Sequence, residues 1–123
     1  MILGLQVASF PRGLGIASQA MALVLAFPAT ADVGVGREIA HSQEKGNCLA
    51  CHQMPTDPLA VSMATLGPRL EGMSVRYPSR AALRERISDA SRFNASTIMP
   101  PYGRHQILTE AEIDEVSRYI HGL

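Results

Sequence analysis

Cys48-Leu49-Ala50-Cys51-His52 contains both cysteines of the 123-residue chain and has the form C-x-x-C-H, the attachment signature of c-type haem. Two thiols three positions apart suit thioether links to the two vinyl groups of one porphyrin, and the adjoining imidazole is then carried beneath the iron as proximal ligand. Other uses of paired cysteines fit less well. A structural zinc site wants further Cys or His ligands at matching spacing, whereas His41, His105 and His121 stand singly. No strand-helix-strand pattern surrounds the motif to support a thioredoxin-like pair. A buried disulfide leaves the histidine directly after Cys51 unexplained. The expectation is one covalent haem c in an exported chain.

Export is read independently from the N-terminus. A single charge at Arg12, an apolar run from Leu14 to Phe27 and Ala29-Thr30-Ala31 as a small-x-small cleavage site mark residues 1–31 as a secretory signal. The alternative is a retained anchor, but Ser18 and Gln19 interrupt the run, which falls short of the ~20 apolar residues of a bilayer span. No cysteine at the cleavage point suggests a lipid anchor. Beyond Ala31, ten Lys+Arg, of which only Lys45 is lysine, face eleven Asp+Glu. That near-neutral balance argues against nucleic acid as a partner, because neutralising phosphates takes a basic excess. Gly34-Val35-Gly36 lacks both the third glycine and the preceding strand of a dinucleotide loop. Residues 32–123 form one small domain, too small to bury a large core of its own, so an apolar macrocycle would supply much of it.

Helical signals dominate. A first helix is expected over Val35 to Lys45, ended by Gly46-Asn47 through a left-handed cap. Between Gln53 and Pro78 the breakers Pro55, Pro58, Gly67, Pro68, Gly72 and Pro78 predict loop with short helical turns. Ser79 caps a helix from Arg80 to about Ala90 with Leu83, Ile87 and Ala90 on its apolar face. The last helix is marked by the Thr109/Glu112 capping box, the stripe Ile113, Val116, Ile120 and the stop at Gly122. With the haem motif after the first helix, the fold class predicted is all-α, a small class I cytochrome c-like fold with helices and loops wrapped around one covalent haem. Its first and last helices would meet at a glycine-aromatic contact, for which Gly36 and Tyr119 are the pair, unless Gly36 only starts the helix.

His52 occupies one axial position, and the other decides the chemistry: a methionine sulfur favours electron transfer, an open site favours binding small ligands. Met54 follows His52 too closely to reach the opposite face. Met63 and Met73 have enough chain, but isolated methionines more often fill gaps in a core. Met99 heads Met99-Pro100-Pro101-Tyr102-Gly103, where two prolines stiffen the backbone. Met99 is the expected axial ligand, with His105 its rival. Pro68, in Gly67-Pro68, is placed to offer its carbonyl to the other ring nitrogen of His52. Arg80 with Arg84, and Glu85 with Asp89, group like charges on the third helix instead of pairing them, either as a docking face or as an ordinary solvated one.

The chain resembles the SoxX family, the monohaem subunits of SoxAX cytochrome complexes. The likeness runs through Gly46-Asn47-Cys48 to His52, Gly67-Pro68-Arg69-Leu70, Arg76-Tyr77, Leu83-Arg84 with Ile87 and Asp89, Asn94 with Thr97, Met99 to Gly103, and Leu108-Thr109 with Glu112-Ile113, Val116 and Tyr119. Its specific part is Thr97 to Gly103 together with Arg76-Tyr77; Ala95 departs from the proline the family pattern expects. The resemblance implies a periplasmic SoxA partner, a SoxYZ carrier whose cysteine is oxidatively joined to thiosulfate, and a soluble cytochrome as electron recipient. Sulfur-sulfur bond formation needs a thiolate, and both thiols here are assigned to the porphyrin, so this chain has no catalytic residue of its own in that scheme. The alternatives are a free-standing monohaem electron carrier, and a haem sensor or enzyme with an open sixth position.

Overall fold

The computed structural model describes residues 33–123, so the expected signal lies outside the described residues. Four α-helices follow in order: α1 (Val33–His41), α2 (Met73–Arg76), α3 (Arg80–Ser88) and α4 (Glu110–His121), with short 3-10 turns at Cys48–Ala50 and Ala90–Arg92. Among the described residues there is no strand, and no helix is long and apolar enough to cross a membrane. The all-α class I arrangement is thus the observed one.

α4 is where local and tertiary signals agree most closely. Thr109 Oγ1 accepts from the Glu112 amide (3.2 Å) while the Glu112 carboxylate accepts from the Thr109 amide (2.9 Å), a reciprocal cap that contributes about 1 kcal/mol. Ile113, Val116 and Ile120 are buried, as their spacing requires, and Tyr119 and Ser117 join them. Each fully buried aliphatic side chain contributes roughly 1.5–3 kcal/mol. α3 presents Leu83 and Ile87 to the same core.

α1 and α4 form the most extensive helix pair. They cross at Gly36, where a Cβ would stand 2.8 Å from the Tyr119 Cβ and press on the Glu115 carbonyl. Below the crossing lies a buried polar knot. Tyr119 donates its hydroxyl to Asp57 Oδ2 (2.5 Å), Leu59 N–H bonds Asp57 Oδ1 (2.9 Å), and Arg37 Nε stands 3.1 Å from the same carboxylate. His41 Nε2 lies 3.6 Å from Asp57 Oδ2. The knot ties the loop that follows the haem motif to both helices.

Three boundaries differ from expectation, the first being that α1 starts at Val33 rather than Val35. α1 ends at His41 rather than Lys45, because the chain turns back at Ser42 with Gly46 N–H bonding Ile39 C=O (3.0 Å) and Asn47 N–H bonding Ser42 C=O (2.9 Å). The left-handed residue there is Asn47 (φ 46°); Gly46 is needed because a Cβ would lie 2.7 Å from the Ile39 carbonyl oxygen. α3 stops at Ser88, since Asp89 turns extended and caps the following 3-10 turn through Ser91 N–H (3.1 Å). Of the grouped charges of α3, Arg80, Arg84 and Asp89 have partners or burial within the molecule, while Glu85 is exposed. Arg84 bridges to Asp114 and Glu110 of α4, each at 2.5 Å, Arg80 reaches Ser117 Oγ (3.3 Å), and Asp89 is buried.

Two outcomes follow from the crossing. Gly36→Ala should destabilise the holoprotein by about 1–3 kcal/mol, the cost of overpacking, whereas Gly122→Ala, whose Cβ would meet its nearest atom at 3.4 Å, should be near neutral; thermal melts read both. Burial raises the Asp57 pKa, but the Tyr119 hydroxyl, the Leu59 amide and the charges of Arg37 and His41 outweigh it and hold the carboxyl below the usual range. Its contribution is therefore complete above about pH 4, the unfolded value, and is lost as pH falls through the lower folded one. In Asp57→Asn, stability at pH 7 should drop by about 1–3 kcal/mol, and the further loss in acid should be shallower than in the wild type.

Candidate haem site

The segment carrying the cysteines is wound as one helical turn. Cys51 N–H (3.1 Å) and His52 N–H (2.9 Å) both bond the Cys48 carbonyl, which brings the two sulfurs and the imidazole to one side. The cysteines are free, not joined to each other. Burial pushes the Cys48 thiol up to about 12, so as a bare thiol it would be a poor nucleophile.

The loop 67–70 clamps this turn from below. Gly67 N–H bonds Cys51 C=O and Leu70 N–H bonds Gln53 C=O, both at 2.8 Å. His52 Nδ1 lies 2.6 Å from the Pro68 carbonyl oxygen. A carbonyl only accepts, so Nδ1 carries the proton and Nε2 presents its lone pair, the tautomer a metal ligand needs. Gly67 has no side chain because the imidazole fills that space: a Cβ would stand 2.6 Å from Nδ1 and 2.8 Å from Nε2.

Above the turn opens a cavity of about 690 Å³, within the ~300–1,000 Å³ of small-molecule and cofactor sites. Cys48, Cys51, His52 and Met99 all line it. Its walls are largely apolar, with Leu83, Ile87, Val116 and Ile120 contributed by α3 and α4. The other methionines and His105 are disposed differently. Met54 is buried with its sulfur 3.4 Å from the Tyr119 hydroxyl, and Met63 is 90% exposed. Met73 reaches the cavity, but its sulfur lies 3.3 Å from Arg76 Nη1. His105 is exposed and does not line the cavity.

Charge on the wall is one-sided. Among the described residues Lys45, Arg76 and Arg86 line the cavity and no Asp or Glu does. Lys45 is neutralised by Glu112, whose carboxyl it holds down to about 2 with help from the Thr109 amide, against the opposing effect of burial. The Arg86 guanidinium stacks 4.2 Å from the Phe93 ring centroid and 5.4 Å from that of Tyr77. An apolar slot with an uncompensated positive rim suits an apolar macrocycle bearing two carboxylates, which is what haem is. The residues present therefore fit the group that the motif demands. Neither arginine was singled out as a wall residue from sequence, since nothing in spacing distinguishes a rim arginine from a solvated one.

A helical fold closed around such a cavity, with C-x-x-C-H on its wall, is that of a small haem electron-transfer protein. Residues 36–123 match the Cytochrome c family, and the chain belongs to it. The chain is also 32% identical over 78 residues to an uncharacterised lipoprotein of Aquifex aeolicus (strain VF5), a match covering 63% of this chain and 37% of that protein. The chain thus spans well under half the length of that relative.

Gly67→Ala tests the clamp. The added methyl must push the imidazole or the Pro68 carbonyl aside, and loss of such an outer hydrogen bond typically weakens a metal histidine 10–100-fold. The ferric holoprotein should acquire a high-spin optical component absent from the wild type, while Pro68→Ala, which keeps the carbonyl, should show far less.

Proposed function

We propose that this chain is the electron-accepting monohaem subunit of a SoxAX-type complex, exported to the periplasm of a Gram-negative bacterium after loss of residues 1–31. Cys48 and Cys51 anchor the haem, His52 and Met99 are its axial ligands, and Pro68 orients His52. The observation that carries the reading is the run Met99-Pro100-Pro101-Tyr102-Gly103 in company with Arg76-Tyr77, the part of the SoxX likeness that is not common to all C-x-x-C-H proteins. In the fold these stretches come together, for Arg76, Tyr77, Met99 and Tyr102 line one cavity. The lipoprotein relative supports an extracytoplasmic setting.

The chemistry assigned to this chain is acceptance of electrons alone. As thiosulfate and the thiolate of a SoxYZ cysteine form a sulfur-sulfur bond, two electrons are released, and the SoxA partner must supply any thiol chemistry. Haem bound here takes up one electron at a time by change of iron valence. The protein contributes a water-poor apolar slot, a fixed His52 tautomer and a stiff Met99 loop, which keep the ligands from rearranging between oxidation states. A soluble cytochrome then receives each electron.

Affinity purification of the tagged chain from its native host checks this directly. The expected product is a complex with a second, SoxA-type haem subunit, whose ferric haem is reduced when thiosulfate and the SoxYZ carrier are added together. A single-chain monohaem cytochrome that thiosulfate and carrier leave oxidised would overturn the assignment in favour of a free-standing carrier. A ferric spectrum lacking the methionine-to-iron charge-transfer band would instead favour an open sixth position.

A further inference from the structure

We propose, resting on the reading of Met99 as axial ligand, that Tyr102 is the positioning residue of that ligand, its hydroxyl clasping the Met99 loop onto the segment that carries the haem thiols. The Tyr102 hydroxyl donates to the carbonyl oxygen of Gly46. Tyr102 stands three residues after Met99 and Gly46 two residues before Cys48, so one bond joins the two arms of the haem site across 56 residues of chain.

Both ends are fixed where they need to be. Gly46 is held to the end of α1 by its N–H bond to Ile39 C=O (3.0 Å), with no room for a side chain. On the loop side, Ile107 N–H (2.9 Å) and Leu108 N–H (3.1 Å) bond the Tyr102 carbonyl, and Gly103 N–H bonds Ser88 C=O (2.9 Å). The rest of the loop is bonded only locally: Met99 N–H to Thr97 Oγ1 (3.2 Å), Thr97 N–H to Asn94 C=O (3.1 Å) and Asn94 N–H to Ala90 C=O (3.1 Å). Among the described residues, the Tyr102 hydroxyl is therefore the hydrogen bond that ties 94–102 to the attachment segment. Pro100 and Pro101 cannot substitute for it. They restrict the shape of the loop but have no N–H with which to anchor it.

The bond is buried, Tyr102 being 7% exposed. Deleting the hydroxyl leaves the Gly46 carbonyl unsatisfied while the loop is closed, but not once the loop opens to water. The loss thus falls on the closed, methionine-ligated state and shifts the population toward an open one. An exogenous ligand reads that population, because its apparent Kd is the intrinsic value divided by the open fraction.

Imidazole titration of the ferric holoproteins is the test. Tyr102→Phe keeps the ring and should bind imidazole about tenfold more tightly than the wild type. Tyr119→Phe, which removes a buried hydroxyl from the Asp57 knot instead, should stay within about twofold. An unchanged Tyr102→Phe, or an equal gain in both variants, would overturn the clasp, the latter by showing general loosening. Met99→Ala sets the ceiling; if it binds imidazole no more tightly than the wild type, the axial assignment itself fails, separately from the clasp. Where Tyr102→Phe yields no holoprotein, hydrogen exchange on the wild type decides. Imidazole should expose the Ile107 and Leu108 amides while Ile120 stays protected, and joint exposure of all three would refute an independently opening loop.

Discussion

The close approach of α1 to α4 at Gly36 is the constraint from which the rest of the architecture follows. With a hydrogen atom in place of a side chain, Gly36 lets the helix backbone rest on Glu115 and Tyr119. That contact sets how α1 lies against α4, and the turn through Gly46 and Asn47, closed by Gly46 N–H on Ile39 C=O, then delivers Cys48. The same crossing buries Tyr119, whose hydroxyl collects Asp57 from the far side of the haem motif. One steric allowance thus locates the attachment segment from both of its ends.

Around this frame the polypeptide supplies a wall and leaves the centre to the cofactor. Side chains from α3 and α4 that would meet each other in an ordinary small helical domain face a common cavity of about 690 Å³. Fold and cofactor are one problem: residues of the hydrophobic core, Leu83, Ile87, Val116 and Ile120 among them, are also residues that would surround a porphyrin. The polar features of the site obey the same economy. His52 is set by a backbone carbonyl rather than by another ionisable side chain, so its tautomer does not depend on a second titration.

Much of this was legible in the sequence because the signals were local. Ser79, the Thr109/Glu112 box and the Ile113, Val116, Ile120 stripe each specify their element within one or two turns, and the structure follows them. Pro68 and Gly36 could be named because each belongs to a recurrent arrangement around a C-x-x-C-H turn. What the sequence did not disclose was long-range. The early end of α1 depends on Gly46 closing back on Ile39, and the termination of α3 on Asp89 preferring to cap the next turn. Arg80 and Arg84 looked like a charged face because their partners on α4 lie 26 to 37 residues away. Gly67 was visible as a turn glycine, yet its reason is the imidazole fifteen residues earlier, a contact no local pattern encodes.

On the proposed ligation by His52 and Met99, the two arms of the haem site are built on opposite principles, and the difference bears on electron transfer. The His52 arm is heavily bonded: three backbone amides and the Pro68 carbonyl hold Cys48 to Pro68 as a unit. Among the described residues, the Met99 arm, residues 94–102, is bonded only locally apart from the Tyr102 hydroxyl. On that ligation, a rearrangement accompanying change of valence would fall on the Met99 side, where a shift breaks few bonds. A carrier needs that side quiet, since motion of the sulfur adds to the barrier at every transfer. Two prolines limit the shapes available to the loop, a buried tyrosine selects the closed one, and each device without the other would leave the thioether either stiff but adrift or anchored but slack.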